Sequence, residues 1–280
     1  MEATLTSTRD GVPGHLLFDR LSALDIAAFV VDGTDLSPGS AIPSDGDPRI
    51  DHALAGFLFT CGPDHIRHPE PVEGCDEGRR YPLHGSLAGT TVTRAKMSAD
   101  DTRCEALTEV DLACGGKAAV ERRWYVSENG QSVMLEDRVT NIGQSAFAPM
   151  MMYHMNIGGR LLGPETHIVS PSIEGGSLGW QFGEGESAHF CIPAVGEEGW
   201  SEVLLAPLPG LGGRRLAVRF RVDTLPFLQM WRCQRGGANV ISIEPASHRL
   251  AKRGELAASG ELGAIEPGQS HGYALGFAVS

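Results

Sequence analysis

The chain has 280 residues, and its 23 Lys and Arg residues against 35 Asp and Glu residues give a formal net charge of −12. This acidic balance argues against a protein that binds nucleic acid without sequence preference or docks on an anionic membrane, because both need a basic face. The apolar fraction of 41% is too high for a disordered chain, and 36 Gly and 17 Pro favour many turns between short strands.

The N-terminal sequence and the cysteines bear on the compartment. The N-terminus, MEATLTSTRDGVPGHLLFDR, contains no basic region followed by an apolar core, so the sequence predicts no secretory signal and a cytoplasmic protein. The six cysteines occur at none of the spacings common to zinc or redox sites. We therefore expect reduced thiols, several of them buried as small apolar side chains.

The N-terminal part of the chain has few clear periodic patterns. Residues 1–15 are polar and are predicted to be loosely ordered, and short helical pieces are expected near residues 15–30. Residues 34–52 are predicted to be a turn-rich loop, because Pro, Gly, Ser and Asp recur there. We expect a single domain, residues 16–280, to follow the N-terminal segment.

Alternation of apolar and polar residues dominates the rest of the chain and predicts β-strands. In the run Arg215–Asp223, the side chains of Leu216, Val218, Phe220 and Val222 fall on one face. Further strands are predicted at residues 89–97, 104–113, 118–127, 131–141, 146–157, 201–206, 226–232, 239–245 and 272–279. The sequence thus predicts an all-β protein, a large antiparallel β-sandwich.

One loop contains side chains that can bind a metal ion. Cys61, His65, His68 and Cys75 lie within CGPDHIRHPEPVEGC, and two cysteines with two histidines are a known zinc-ligand set. Their spacing fits no standard zinc pattern, and three prolines make the segment irregular. Two interpretations stay open: a metal site and, preferred, a proline-rich loop at the edge of the sandwich.

The predicted strand at residues 146–157 ends in two polar side chains. His154 and Asn156 share one face with Met150 and Met152, just before two glycines. A buried polar group needs a partner or a purpose, so this pair favours a functional site over an incidental polar tip. His84, in YPLHG, is a weaker candidate beside a glycine that allows a close backbone approach.

Glu244 is the candidate carboxylate. It ends the apolar strand NVISIEPA and precedes a proline, which stops the hydrogen-bond ladder. Upstream, Gln229 and Trp231 alternate onto one face; they predict an apolar wall with a hydrogen-bonding group, and a core position for Trp231 is equally open. A histidine and a glutamate that face each other form a general acid/base pair, which needs neither a metal nor an organic cofactor.

The order of three short motifs resembles a known family. LHG, then YHMN at the end of a strand, then IEP resemble the aldose 1-epimerases, or galactose mutarotase-like proteins. GFLFTCGPDHIR followed by YPLHG is similar to the branch of that superfamily known as a domain of unknown function. The resemblance covers residues 25–280. It implies a β-supersandwich with a sugar site on the concave face of a sheet, where ring opening and closure interconvert the anomers of a sugar.

The resemblance also implies roles for individual residues. Glu244 is expected to take the proton from the anomeric hydroxyl, and His154 to protonate the ring oxygen. His84 is expected to bind the sugar and stabilise charge on an oxygen. Asn156 is expected to hold a sugar hydroxyl or to orient a neighbouring side chain.

An arginine joins the sugar site in this family, and Arg67 is the expected counterpart here, in preference to Arg79 and Arg80. An aspartate that contacts sugar hydroxyls has no clear counterpart, and Gln229 or Trp231 is expected in its region.

Arg160 stands where close relatives are expected to have a proline. It is either a contact for an acidic group on the sugar or, by preference, a solvated loop residue.

The expected function is therefore that of an aldose 1-epimerase-like isomerase that acts without a cofactor on a free or modified sugar. The expected partner is a small-molecule carbohydrate, with neither nucleic acid nor a membrane, and a homodimer is left open. The alternatives are a non-catalytic carbohydrate-binding or regulatory protein on the same fold, and a metal-dependent enzyme that uses Cys61, His65, His68 and His84.

Overall fold

Two antiparallel β-sheets packed face to face make up the fold, which confirms the predicted all-β sandwich. The computed structural model describes residues 4–7, 13–39, 42, 44, 46–75 and 78–280. In chain order the strands are β1 (Thr4–Ser7), β2 (Gly14–Asp19), β3 (Asp25–Val31), β4 (Thr34–Asp35), β5 (Leu58–Cys61), β6 (Arg94–Met97), β7 (Arg103–Asp111), β8 (Lys117–Val126), β9 (Ser132–Asn141), β10 (Met152–Gly158), β11 (His167–Val169), β12 (Ser177–Gly179), β13 (Ser187–Pro193), β14 (Trp200–Leu208), β15 (Arg214–Arg221), β16 (Phe227–Cys233), β17 (Val240–Ala246) and β18 (Ser270–Val279). Two short helices, α1 (Pro48–Leu54) and α2 (Arg253–Ala258), complete the regular structure, with 3₁₀ turns at Gly159–Leu161, Pro209–Leu211 and Arg235–Gly237.

The two sheets divide the chain into a first layer that carries the candidate site and a second layer behind it. The first sheet has the strand order β1-β2-β3-β5-β10-β17-β16-β13, with β4 beside β3. The second has the order β12-β11-β14-β15-β18-β9-β8-β7-β6. In the described part of the chain no helix is long and apolar enough to span a membrane.

Buried and more exposed side chains alternate along strands of the second sheet, as predicted. In β15, Leu216, Val218 and Phe220 are fully buried while Arg219 is exposed. In β10 and β17 every residue is buried. A strand buried on both faces lies between two layers, so these two strands must be covered on the side away from the second sheet as well.

A large apolar core joins the two sheets. Phe29 and Phe57 of the first layer pack against Phe277 of β18, with ring centroids 5.1–5.2 Å apart. A second apolar cluster covers the opposite face of the first sheet, where Leu54 of α1 and Leu256 of α2 pack near Met152 and Phe59. The two helices and their loops thus form a partial roof over β5, β10 and β17.

A buried ion network also bridges the layers. Arg122 of β8 donates to Asp137 of β9 at 2.9 and 2.7 Å and to Asp25 of β3 at 2.5 Å. Asp25 also accepts a 2.7 Å hydrogen bond from the hydroxyl of Thr60 in β5. The pKa of Asp25 is raised by burial, which the charge of Arg122 opposes. Phe59 and Cys61 pack in the cluster on the other face, so this network anchors the back of the strand that supports the candidate site.

Several strands predicted from the sequence are confirmed, and their ends differ by a few residues. The strand predicted at residues 89–97 spans only Arg94–Met97, and the one predicted at 146–157 begins only at Met152. Eight strands lie outside the predicted ones: β1, β2, β3, β4, β5, β11, β12 and β13. All six cysteines are unpaired, and Cys61, Cys104 and Cys233 are buried.

The prediction of short helical pieces near residues 15–30 is wrong, because this region forms β2 and β3. The runs HLLF and IAAFVV are nearly continuous apolar stretches, and periodicity does not separate a buried strand from a buried helix. The predicted loop at 34–52 lies partly outside the described residues, and α1 begins in it at Pro48, where the Asp47 side chain accepts from the Arg49 amide at 3.0 Å. Much of the segment 1–15 also lies outside the described residues; Thr4–Ser7 form β1 and Gly14 begins β2.

Candidate active site

A cavity of about 640 Å³ lies over the face of the first sheet that points away from the second sheet. This volume is in the range of small-molecule sites, roughly 300–1,000 Å³. Six of the seven predicted site residues line it: Arg67, His84, His154, Gln229, Trp231 and Glu244. The structure therefore brings together side chains that lie up to 177 positions apart in the sequence.

The sheet register places the reactive side chains in one row. His154 of β10 pairs with Phe59 of β5, and Gln229 of β16 pairs with both Glu244 of β17 and Cys191 of β13. In the β10–β17 pair, Met152 lies opposite Ala246 and Met155 lies opposite Ile243. The same register places His154 opposite Glu244. Side chains directly opposite in an antiparallel pair are close neighbours, so the strands themselves align the histidine with the glutamate.

The carboxyl group of Glu244 and the imidazole of His154 meet at the bottom of the cavity. Glu244 Oε1 lies 3.1 Å from His154 Nε2, and the two side chains are 1% and 5% exposed. The Oε1 atom nevertheless has no hydrogen-bond partner among the described residues. The other oxygen, Oε2, accepts a 2.5 Å hydrogen bond from Gln229 Nε2. One carboxyl oxygen is thus held by the protein and the other is left for a ligand.

Asn156 fixes the orientation and the tautomer of His154. Its amide nitrogen donates to the backbone carbonyls of Leu54 and Gly56 at 3.2 and 3.3 Å, so its oxygen must face the imidazole. That oxygen lies 2.7 Å from His154 Nδ1 and also accepts from the Ser242 hydroxyl at 2.6 Å. An amide oxygen only accepts, so Nδ1 carries a proton and the neutral ring turns the lone pair of Nε2 toward Glu244.

Asn156 is therefore an orienting residue, and the prediction that it binds the sugar is corrected. It is fully buried and does not line the cavity. The alternative expectation, that it orients a neighbouring side chain, matches the geometry. The physical reason is the tight hydrogen-bond set behind His154, which uses both polar atoms of the amide.

Burial shifts the pKa values of the pair in opposite directions. Burial raises the pKa of Glu244 from 4.5 to about 8, and the hydrogen bond from Gln229 opposes this shift. Burial also holds the pKa of His154 well below its usual value, and His84 lowers it further. Both shifts favour the neutral forms, so near neutral pH the carboxyl group of Glu244 is protonated and the imidazole of His154 keeps only its Nδ1 proton.

Three aromatic rings enclose the His154 imidazole. Phe59 stacks on it with centroids 4.7 Å apart, and the rings of His84 and Trp231 contact it edge-on at 5.8 Å. These contacts leave the ring little freedom to rotate. Trp231 also packs beside the apolar cluster under α1, so both sequence interpretations of this residue hold: it is partly core and partly cavity wall.

His84 sits on a tight turn that only glycine can complete. His84 itself has a left-handed φ of 58° and Gly85 has a φ of 85°. A side chain at Gly85 would clash with the carbonyl oxygens of His65 and Gly62, so the predicted close backbone approach is confirmed. The His84 Nδ1 atom lies 3.4 Å from Cys61 Sγ, and burial lowers the pKa of His84 to about 4. His84 therefore enters the cavity as a neutral ring.

Of the two arginines singled out by the sequence, only Arg67 lines the cavity. Its Nε and Nη1 atoms are buried and have no acceptor among the described residues. Arg160 instead lies on the surface and donates to the backbone carbonyl of Asp35. The preferred expectation for Arg160, a loop residue, agrees with this placement.

The side chains of the possible zinc loop do not converge. Among the described residues, no group of three His, Cys, Asp or Glu side chains is placed to hold a metal ion. Cys61 points to His84, His65 Nε2 bonds the backbone oxygen of His68 at 2.7 Å, and Cys75 lies in a turn beyond them. The preferred interpretation of an irregular loop agrees with these contacts.

Sequence reasoning missed the contribution of the edge strand β13. Ser187 and His189 line the cavity, and Cys191 pairs with Gln229 in the reactive row. The sequence contained a pattern that indicates this strand. Ser187, His189 and Cys191 alternate with two apolar residues, Ala188 and Phe190. His68 and Arg235 also line the cavity. The sequence indicated His68 only as a possible metal ligand, and it did not indicate Arg235.

Comparison with known proteins agrees with this architecture. A family described as a domain of unknown function, DUF4432, matches residues 8–176 and 179–279. No curated protein matches the chain. Among solved structures, a provisionally assigned aldose 1-epimerase from Klebsiella pneumoniae is similar, with a TM-score of 0.77 and 16% identity over 95% of this chain and 76% of that one.

Two further structures cover nearly the whole of both chains. A galactose mutarotase related enzyme from Lactobacillus acidophilus has a TM-score of 0.70 and 10% identity, covering 99% of this chain and 97% of its own. A galactose mutarotase-like protein from Lactobacillus casei has a TM-score of 0.69 and 10% identity, covering 99% of this chain and 100% of its own. At these identities the likeness shows the fold, a galactose mutarotase-like sandwich, and confirms the resemblance seen in the sequence.

Proposed function

Because the chain belongs to the DUF4432 family and has the galactose mutarotase-like fold, we propose that it is an aldose 1-epimerase-like isomerase. It would interconvert the two anomers of a sugar by opening and closing the ring, without a cofactor. The single observation that carries this proposal is the pairing of His154 Nε2 with Glu244 Oε1, 3.1 Å apart, at the bottom of a ligand-sized cavity.

The reaction needs one proton removed and one proton added at two neighbouring oxygens of the sugar. The anomeric hydroxyl loses its proton, the bond between the anomeric carbon and the ring oxygen breaks, and the ring oxygen gains a proton. The free aldehyde then rotates about its bond to the next carbon, and the ring closes on the other face as both protons return. An acid and a base held side by side on one rigid sheet suit this exchange.

The pKa shifts of the pair and the tautomer of His154 support one direction for the first step of this cycle. With Nδ1–H bound to Asn156, His154 Nε2 is free to accept the anomeric proton, and the protonated carboxyl of Glu244 is the donor for the ring oxygen. The resemblance to the family implied the opposite direction, with Glu244 as base. The two versions differ by the transfer of one proton between Oε1 and Nε2 before the sugar reacts. In either version, ring closure returns each proton to the group that supplied it.

The remaining cavity residues fit a sugar. Trp231 supplies an aromatic face of the kind that packs on the apolar side of a sugar ring. Gln229 holds Glu244 Oε2 and leaves Oε1 free, and neutral His84 is a hydrogen-bond partner for a sugar oxygen. The cytoplasmic location stays a prediction, and a homodimer stays an open possibility.

The test is nuclear magnetic resonance exchange spectroscopy, which measures the rate at which anomeric protons exchange between the α and β forms. We expect the protein to accelerate exchange for at least one sugar in a panel of reducing sugars and sugar acids. Glu244→Gln keeps the shape of the side chain but cannot titrate, so it should lower the rate by roughly 10²–10⁴-fold.

The matched control is Glu266→Gln, which removes a carboxyl group at an exposed turn outside the cavity. Sugar binding without faster exchange would favour the alternative, a carbohydrate-binding or regulatory protein. Equal rates for the wild type and for both Glu244→Gln and His154→Asn would show that the acid/base pair is wrong.

A further inference from the structure

We propose that the sugar bound here carries an oxyanion group, a carboxylate or a phosphate ester, and that Arg67 binds this group. This inference rests on the proposed function and specifies the class of its substrate.

The first observation is the state of the Arg67 guanidinium group. Its Nε and Nη1 atoms are buried, yet no acceptor contacts them among the described residues. A nearby arginine behaves differently: Arg49 donates to three backbone carbonyls. Buried donors without acceptors are unfavourable, and Arg67 lines the cavity, so its missing acceptor is expected to come from the ligand.

The second observation is the charge of the cavity wall. Its described lining contains two guanidinium groups, Arg67 and Arg235, and a single carboxyl group, that of Glu244. That carboxyl belongs to the reacting pair and is neutral below about pH 8. The protein as a whole has a net charge of −12. A positively charged cavity in an acidic protein is a site for an anion, because the lining attracts a negative ligand that the rest of the surface repels.

The third observation concerns hydrogen-bonding capacity. A neutral sugar presents hydroxyl groups, each of which donates as well as accepts. Arginine side chains only donate, and Glu244 is the one carboxyl acceptor among the described lining residues. An oxyanion only accepts, and it forms strong charge-assisted hydrogen bonds with guanidinium. The two guanidinium groups of the described lining therefore match a sugar that carries an acceptor-only group.

Arg67 and the reacting pair, His154 and Glu244, line the same cavity. Cys191, which stands in the reactive row opposite Gln229, has its pKa raised by burial, raised by the charge of Glu244 and lowered by that of Arg67. The Cys191 thiol is thus within electrostatic reach of both groups. A single sugar then contacts the acid/base pair with its anomeric centre and Arg67 with its anionic substituent.

The experiment compares acidic sugars with their neutral parents. Anomer exchange is measured at pH 7.5 for D-glucose, D-galactose, D-glucuronate, D-galacturonate and D-glucose 6-phosphate, with the spontaneous rate of each subtracted. We expect a kcat/KM at least about tenfold higher for an acidic sugar than for its neutral parent, the size of a charge-assisted hydrogen bond. The uronates and the phosphate ester distinguish the two kinds of oxyanion.

Variants then assign the preference to Arg67. Arg67→Gln should reduce the ratio of acidic to neutral kcat/KM by about tenfold, mainly through KM, and Arg67→Lys should restore part of it because the charge returns. Arg160→Gln removes the same charge outside the cavity and should keep the ratio. Thermal unfolding of each variant checks that the fold is intact.

The outcomes separate this inference from the proposed function. Fast exchange with no preference for acidic sugars, or a ratio that Arg67→Gln leaves unchanged, overturns the inference and leaves the isomerase function standing. Saturable binding of an acidic sugar that is lost in Arg67→Gln, without any exchange, overturns the isomerase function and supports the inference. A lack of binding to all three acidic sugars overturns the inference as well.

Discussion

His154 and Asn156 lie two residues apart on the same face of β10, and a 2.7 Å hydrogen bond joins their side chains. The strand repeat makes this contact possible, because side chains at i and i+2 point the same way. Asn156 is in turn held by two backbone carbonyls and a serine hydroxyl. The imidazole at the bottom of the cavity therefore has a defined orientation and a defined proton before any ligand arrives.

Replacing Asn156 should disturb catalysis through His154. Asn156→Ala removes the acceptor that holds the Nδ1 proton, and we expect kcat/KM to fall by about 10- to 100-fold, as when other orienting partners of a functional histidine are lost. Nitrogen-15 spectra should show Nδ1–H with a bare Nε2 in the wild type, and a mixture of tautomers in the variant. Ser242→Ala, which removes a donor from the same amide oxygen, is the control and should keep the wild-type tautomer. A wild-type spectrum with the proton on Nε2 would contradict the assignment.

The pH dependence of the rate should follow the carboxyl proton of Glu244, which is the proton of the pair that titrates near neutral pH. Glu244, with a pKa raised to about 8, supplies that proton, and the imidazole of His154 becomes a cation only well below pH 6.5. We therefore expect kcat/KM to be flat from about pH 6.5 to 7.5 and to fall as the pH rises through about 8, where Glu244 loses its proton. The measurement is the enzymatic rate from pH 6 to 9.5 after subtraction of the spontaneous reaction. A rate that rises through pH 8 would show that the ionised carboxylate is the required form.

Stability should depend on pH through the same carboxyl group. The folded protein keeps the Glu244 proton up to about pH 8, whereas the unfolded chain releases it near 4.5. The native state then binds more protons between these values, so the free energy of unfolding contributed by this group decreases as the pH rises from 4.5 through 8. The glutamine in Glu244→Gln does not titrate, so the free energy of unfolding of this variant does not decrease with pH through this position.

Urea unfolding at pH 5, 7 and 9 measures the difference. We expect the stability of Glu244→Gln relative to the wild type to increase by at least about 1.4 kcal/mol from pH 5 to pH 9, the equivalent of one pKa unit. A constant difference across this range would mean that Glu244 has an ordinary pKa in the folded protein.

Removing Arg122 should destabilise the sandwich strongly. Arg122→Met leaves Asp25 and Asp137 buried without their cation, and breaking a buried ion pair in this way costs about 3–5 kcal/mol. The neighbouring Arg123 is about half exposed, and its ion pair with Glu105 is 3.6 Å long, so Arg123→Met should cost less than about 1 kcal/mol. Denaturant unfolding of the two variants at neutral pH compares them. Equal stabilities would show that the network contributes little.

A strand could be predicted from the sequence when one of its faces is exposed to solvent. β9 and β15 could be predicted, because one face of each meets solvent and the alternation is clear. β2 and β3 were predicted as helical pieces because their apolar runs lack that alternation. His154 and Glu244 were found because a charged or polar side chain at the end of a fully apolar strand is costly without a purpose.

The chain by itself determined the all-β class, the strands with a solvent face, and the residue types of an acid/base pair. Tertiary structure decided which of these side chains meet. The register across β5, β10, β17, β16 and β13 aligns His154 with Glu244 and adds Cys191 to the row. Hydrogen bonds to the Leu54 and Gly56 carbonyls keep Asn156 buried behind the imidazole. The fold also leaves Arg67 Nε and Nη1 without an acceptor in the part of the chain that the structure describes, whereas Arg160 donates to a backbone carbonyl. Such outcomes depend on hydrogen bonds and burial between segments far apart in the chain, which local alternation does not encode.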